Sequence, residues 1–236
     1  MNIRRIVLLN VIGLIVLLGV VYGGWNWYYQ SANYVSTDNA FVEGTEYPIN
    51  VQIPGTLTAW NVQNGATVTA GEVLGQQDTS TEAAQLGTAA KSSSVMTAVK
   101  NSAQITSPID GTILNPTASV GQMEAPGTPI AYVVNLNQLY ILANIKETDL
   151  RHVAVGDTVD ISIDAFPNQS FKGTVQSIGL ATNSMFSLIP PSDETTGTYT
   201  KVTQTVPVQI SLQGYSGVNL APGMSATVHI HRQTGS

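Results

Sequence analysis

Val51 to Asp78 reads VQIPGTLTAWNVQNGATVTAGEVLGQQD, and its pattern returns 56 positions further on. Gly55, Thr56, Leu57, Gly65, Gly71 and Leu74 line up with Gly111, Thr112, Ile113, Gly121, Gly127 and Ile130. Six positions in one register make an internal repeat. In each copy a glycine and a small apolar pair open a strand. Two further glycines six apart then mark turns, where a residue without Cβ accepts positive φ. Leu57, Val62, Val68 and Leu74 fall on short strands that need a partner layer. Neither copy is long enough to close a core alone, so the pattern predicts two halves facing each other as a small flattened β-sandwich. Residues Thr79 to Gln104 leave and re-enter it at one end.

Composition narrows the rest. The 236 residues hold one large or two small domains. With no cysteine, neither disulfides nor thiolate metal sites can contribute, and hydrophobic packing must stabilise the chain. Seven of the nine basic residues and all fifteen acidic ones lie beyond Tyr22, a net charge of −8. That excludes duplex nucleic acid as a partner, because phosphates demand clustered Lys and Arg.

Arg4 and Arg5 precede an apolar run from Ile6 to Tyr22 that is interrupted only by Asn10, Gly13 and Gly19. At about 1.5 Å per residue the run, extended to Trp27, reaches the roughly 30 Å of a bilayer core. Trp25, Trp27, Tyr28 and Tyr29 form an interfacial aromatic cluster, and the arginines hold the N-terminus in the cytoplasm. A cleaved signal peptide would have a shorter apolar region, and no small-x-small site precedes the aromatics. The expectation is an uncleaved single-pass anchor at the cell membrane, with the rest of the chain extracytoplasmic.

Ser31 to Pro48 reads as extended, with Asp38 and Asn39 as Asx-turn residues. In the insertion, Thr79 and Glu82 have the spacing of a capping box for a short helix through Leu86 stopped by Gly87, and Ser92 to Ser102 suits a returning helix. Two arms of about 12 residues reach only about 18 Å. Beyond it, Gln138–Ile145, Val159–Ile163, Phe171–Ile178, Val206–Leu212 and Ala226–His231 are short alternating strands between turn signals, the pattern of a small β-barrel. Thr182 to Thr200, with Pro190, Pro191, Asp193 and Glu194, reads as a long loop.

No motif carries catalysis. GxSxG, HExxH, P-loop and GxGxxG patterns are all missing from the sequence. His229 and His231 share a strand face, but a metal site needs a third ligand and His152 is distant in sequence. Asp160 and Asp164 read as strand-exterior or turn charges, so no enzyme is expected.

The half-motif pair resembles a biotinyl/lipoyl-type domain, and its division by an insertion resembles the HlyD and EmrA class of membrane fusion proteins, adaptors of efflux pumps and secretion systems. Val35-Ser-Thr-Asp-Asn-Ala-Phe-Val-Glu-Gly44 is similar to the leading segment of the EmrA-like subgroup. Asn144-x-x-Glu147-Thr148, Phe171-x-Gly173-x-Val175, Phe186-Ser-Leu-Ile-Pro-Pro191, Thr200-Lys-Val202 and Leu220-Ala-Pro-Gly-Met224 resemble its barrel domain. The resemblance covers about Tyr34 to Ile230. It implies a mainly β chain with a split lipoyl-like sandwich nested in a barrel. The divisions are a cytoplasmic tail 1–5, transmembrane helix and aromatics 6–27, first barrel strand 34–48, first half 49–78, short hairpin 79–104, second half 105–135 and barrel 136–232. A carrier lysine with its flanking pattern is missing around Lys91 and Lys100, so no biotin, lipoate or other cofactor is expected.

By the same resemblance, the partner is a membrane transporter, of major-facilitator type first and ATP-binding-cassette exporter second, and the chain forms a homo-oligomer. Gly65, Gly121, Phe186, Asp193 and Glu194 become the expected partner or exit-path contacts. The long coiled-coil hairpin of the family is replaced by the short insertion, which suits an adaptor at a single membrane. The rival expectation is an extracellular envelope scaffold or binding module without a transporter.

Overall fold

The computed structural model describes residues 12–25, 33–88, 92–182 and 203–232. Helix α1 is described over residues 12–25. Among the described residues no helix is long and apolar enough to cross a membrane; the ends of the expected span, 6–11 and 26–27, lie outside them. The chain divides into two compact units, one of Met1–Val42, Tyr140–Val218 and Gly223–Ser236, the other of Glu43–Leu139 and Asn219–Pro222.

Strand β1 (Tyr34–Asn50) and strand β8 (Pro129–Lys146) each run from one unit into the other. The expected division between second half and barrel, at 135–136, therefore falls inside a strand. In the first unit β1, β12 (Ser225–His231), β9 (Thr158–Ile163), β10 (Ser170–Ile178), β11 (Thr205–Ser211) and β8 pair in that order, and β8 also pairs β1, closing a barrel. Every other residue faces inward: Val159, Ile161 and Ile163 on β9, Val206, Val208 and Ile210 on β11, and Ala226, Val228 and Ile230 on β12 are buried. β-branched side chains dominate because they fill a pleated, two-layered interior well. Gly173 lies between buried Phe171 and Val175, where a Cβ would run into the carbonyl oxygen of Ser211.

The second unit is the sandwich. It holds β2 (Gly55–Trp60), β3 (Thr67–Val68), β4 (Val73–Gln77), β5 (Gln104–Thr106), β6 (Gly111–Leu114) and β7 (Met123–Glu124), with the sandwich parts of β1 and β8. The repeat becomes a two-fold exchange: β2 pairs β7 of the other half through Gly55 with Glu124, and β3 pairs β6 through Val68 with Gly111. These are the same positions 56 residues apart. The core obeys the same relation, since Leu57 and Ile113, Leu74 and Ile130, and Ile49 and Ile105 are all buried in one cluster. Each such side chain contributes about 1.5–3 kcal/mol by leaving water.

The insertion carries α2 (Ser80–Leu86) and α3 (Ser93–Ser102). The expected Thr79–Glu82 capping box is absent: Thr79, at φ −96° and ψ 1°, makes no side-chain cap bond. Its backbone lies outside the β region that aims an N-cap hydroxyl into the first turn. Asp78 takes the role instead, accepting from the Ser80 N–H at 3.1 Å and the Ser80 hydroxyl at 2.5 Å. Asp38 and Asn39 likewise form no turn. They sit at a bulge within β1 between Thr37 and Ala40, and the Thr37 hydroxyl accepts the Asn39 N–H at 3.1 Å.

Candidate functional site

The repeat glycines divide into two kinds. Gly65, Gly71, Gly121 and Gly127 have φ of +80° to +90°, and no atom would lie within 4 Å of an added Cβ. Gly55 and Gly111 open β2 and β6 without positive φ, where a Cβ would meet Asp78 O at 2.8 Å and Val134 O at 2.5 Å. The turn glycines join the halves crosswise. The Gly65 N–H donates to Ile113 O at 2.8 Å, and the Gly121 N–H donates to Leu57 O at 2.7 Å. Gly71 and Gly127 repeat the exchange with Ser107 O and Val51 O at 2.8 and 3.3 Å. Gly65 and Gly121 therefore serve the two halves separately and do not share one loop. Phe186, Asp193 and Glu194 lie outside the described residues, as does most of the expected loop from Thr182 to Thr200.

In the barrel unit, two of the sequence motifs meet. The Thr37 hydroxyl donates to Asn144 O at 3.1 Å, and Asn144 Nδ2 donates to Asn39 Oδ1 at 3.1 Å. A cleft of about 310 Å³ beside them is lined by Ser36, Asp38, Lys146, Asp149, Thr227 and His229 among others. On the outer sheet face His231 Nε2 lies 2.7 Å from Asp160 Oδ2, with the Tyr34 ring edge-on to His231 at 4.7 Å. Both histidines alternate with buried Val228 and Ile230, and His152 is engaged by Arg151 at 3.0 Å. Among the described residues no three His, Asp or Glu side chains gather to hold a metal. The sequence separation between β1 and β12 hid the Tyr34–His231 contact.

The sandwich unit has a second cleft, of about 340 Å³, lined by Thr45, Tyr47, Ala70, Pro108, Ile109, Asp110, Asn135 and Gln138. Asp110 Oδ1 accepts the Ala70 N–H at 2.7 Å, which sets the carboxylate's orientation. Sequence reasoning did not find this cleft; next to it, Gly111 was read only as the glycine that opens a strand. Along β1 towards the barrel, Glu43 shares the strand face of Thr45 and Tyr47. Burial, and then the neighbouring Glu46 carboxylate, raise its pKa above the ordinary value.

Residues 139–230 match the YknX-like beta-barrel domain, and residues 47–136 match the RND MFP barrel-sandwich hybrid domain. A putative efflux system component, YhbJ of Bacillus subtilis (strain 168), is 41% identical over 98% of this chain and 94% of its own length. The colistin resistance protein EmrA of Acinetobacter baumannii is 34% identical over 56% of this chain, which spans 38% of that longer protein. A solved structure of the periplasmic adaptor protein EmrA superposes with a TM-score of 0.54 at 14% identity, over 85% of this chain and 99% of that one. The membrane fusion protein Spr0693 from Streptococcus pneumoniae R6 superposes at 0.58 and 16% identity, over the same shares. At such identities the superpositions speak for the fold.

Proposed function

The chain belongs to the membrane fusion protein family of EmrA/HlyD type, and from that premise we propose that it is the membrane-anchored adaptor of an efflux transporter. Members of the family are adaptors and not catalysts, so the chain is not an enzyme. The relative that spans nearly all of it is described as an efflux system component, and this observation carries the reading. The transporter is of the major-facilitator type first and an ATP-binding-cassette exporter second.

The anchor reading is supported by α1. Ile12, Leu14, Ile15, Val16, Leu17, Leu18, Val20 and Val21 each expose half or more of their surface. A helix that is apolar on every side has no stable place in water and needs a lipid or protein surround. With Arg4 and Arg5 at its start, the N-terminus stays cytoplasmic and the β units lie outside. Copies of the chain assemble around the transporter's outer mouth, with the turns at Gly65 and Gly121 and the 182–200 segment, including Phe186, Asp193 and Glu194, facing the transporter or the exit path. The adaptor adds no energy and holds the path open or closed. Helices of 7 and 10 residues reach about 10 and 15 Å, which suits work at a single membrane.

The test is photocrosslinking in native membranes from a probe within residues 182–200, with mass spectrometry of the products. Capture of a polytopic transporter together with adaptor-to-adaptor links is the expected result. Capture of envelope polymers alone would replace this reading with an envelope scaffold.

A further inference from the structure

Outside the insertion, the sandwich unit holds six carboxylates, Glu43, Glu46, Glu72, Asp78, Asp110 and Glu124, and no lysine or arginine. The 340 Å³ cleft opens in this anionic part of the unit, and the insertion, with Lys91 and Lys100 against Glu82, leaves the unit as a whole net negative. On one wall stands Tyr47, 41% exposed, with Thr45 on the same strand face. On another is Asp110, whose Oδ1 is held by the Ala70 N–H while Oδ2 stays available. Pro108 and Ile109 supply apolar surface, and Asn135 and Gln138 supply amides. A ring face attracts cations, a fixed carboxylate pairs with them, and the surrounding charge repels anions. A hard metal ion does not fit, because it demands about six or more oxygens in a cage and the cleft offers one carboxylate.

We propose that this cleft binds an organic ammonium ion, its charged head on the Asp110 carboxylate and its apolar body over Tyr47 and Pro108. The binding stands on the cleft alone; that the bound ion is the exported species rests on the adaptor reading above.

The experiment is a titration of the full-length, isotope-labelled chain in detergent with benzylammonium, with benzoate and benzyl alcohol as anionic and neutral counterparts. The amide signals of Ala70, Asp110 and Asn135 report binding. Benzylammonium shifts them saturably, benzoate does not, and added salt weakens the effect. Asp110→Asn keeps an acceptor for the Ala70 N–H and so keeps the turn, yet binds roughly tenfold more weakly. Tyr47→Leu, a change on an exposed strand position, weakens binding several-fold and serves if the first variant misfolds. The proposal is overturned if no saturable shift occurs, if benzyl alcohol or benzoate binds as tightly, or if neither variant changes the affinity. Failure here leaves transporter capture untouched. Conversely, binding without transporter capture keeps the site and removes its role in export.

Discussion

Two residues break the two-fold symmetry of the sandwich core. Gln77 and Glu124 are buried, 2% and 7% exposed, at positions where the other half has Val133 and Val68. Both lie beside Gly55, Gln77 through its Nε2 donating to Gly55 O at 3.2 Å and Glu124 through strand pairing. Gln77 Oε1 has no hydrogen-bond partner among the described residues, and a buried oxygen without one costs about 1–3 kcal/mol. Gln77→Val copies the other half, removes that oxygen and suits a strand. It should stabilise the chain by about 1 kcal/mol, read as a higher denaturant midpoint. A lower midpoint would mean that the amide contact with Gly55 matters more than the orphaned oxygen.

Glu43 makes a pH prediction at the same scale. Its folded-state pKa is raised above 4.5 by burial and by Glu46, so the folded chain binds this proton more readily than the unfolded one. Its contribution to stability is full below the unfolded value and is lost as pH rises through the folded one. Glu43→Gln should therefore gain on the parent chain as pH rises from 4.5 to neutrality, measured as the difference in unfolding midpoint. Asp78 acts in the opposite sense, since hydrogen bonds from the Ser80 hydroxyl and N–H lower its pKa below 3.8. Its share is lost only under more acidic conditions. A constant difference between Glu43→Gln and the parent would discard the assignment.

At the scale of elements, the repeat glycines sort by cause. Gly65→Ala and Gly121→Ala meet open space at positive φ and should each cost about 1 kcal/mol, equally within error. Gly111→Ala drives a Cβ into Val134 O and should cost about 2–3 kcal/mol. Urea unfolding of the three variants checks the order. If Gly121→Ala cost much more than Gly65→Ala, the two halves would not be equivalent.

The same glycines explain what the sequence could reveal. Turns and close approaches demand one residue type at fixed spacing, so the repeat and its sandwich were legible before any coordinates. Alternation in 159–163 and 226–231 likewise exposed the barrel strands. The continuity of β8 through Asn135 and Asn137 was not legible. Polar residues there resemble a turn, and the Asn137 N–H does donate to the Asn135 side chain at 2.9 Å as in an Asx turn, yet the backbone stays extended from Pro129 to Lys146. The bulge at Thr37 and the cap at Asp78 were hidden for a related reason. Several neighbouring hydroxyl and carboxylate groups can satisfy one N–H, and local backbone angles decide among them. The sandwich cleft joins residues from β1, two turns and β8, the barrel cleft residues from β1, β8 and β12, and one-dimensional spacing does not carry either meeting.

At the scale of the whole molecule, the chain spreads its polarity unevenly. An apolar helix comes first, then β units whose residues beyond Tyr22 carry −8. The eight Ile, Leu and Val residues exposed along α1 can gain on the order of 10 kcal/mol by entering an apolar phase. Against this, the β units bury their own apolar residues and offer no comparable reason to leave water. Their exposed large apolar side chains, such as Phe41, Val73, Val120, Met123 and Val155, are spread along the sequence, whereas those of α1 are contiguous. In a cloud-point detergent partition the full chain should therefore collect in the detergent-rich phase, while a chain beginning at Asn33 stays in the aqueous phase with its strand circular-dichroism signal intact. If the full chain remained aqueous, α1 would have to be covered by protein, and the anchor would be lost from the proposed function. If the shortened chain also entered detergent, the partition would be driven by the β units and α1 would no longer explain it. Only the split outcome assigns the membrane to the first 27 residues and leaves both β units free to face a transporter from outside.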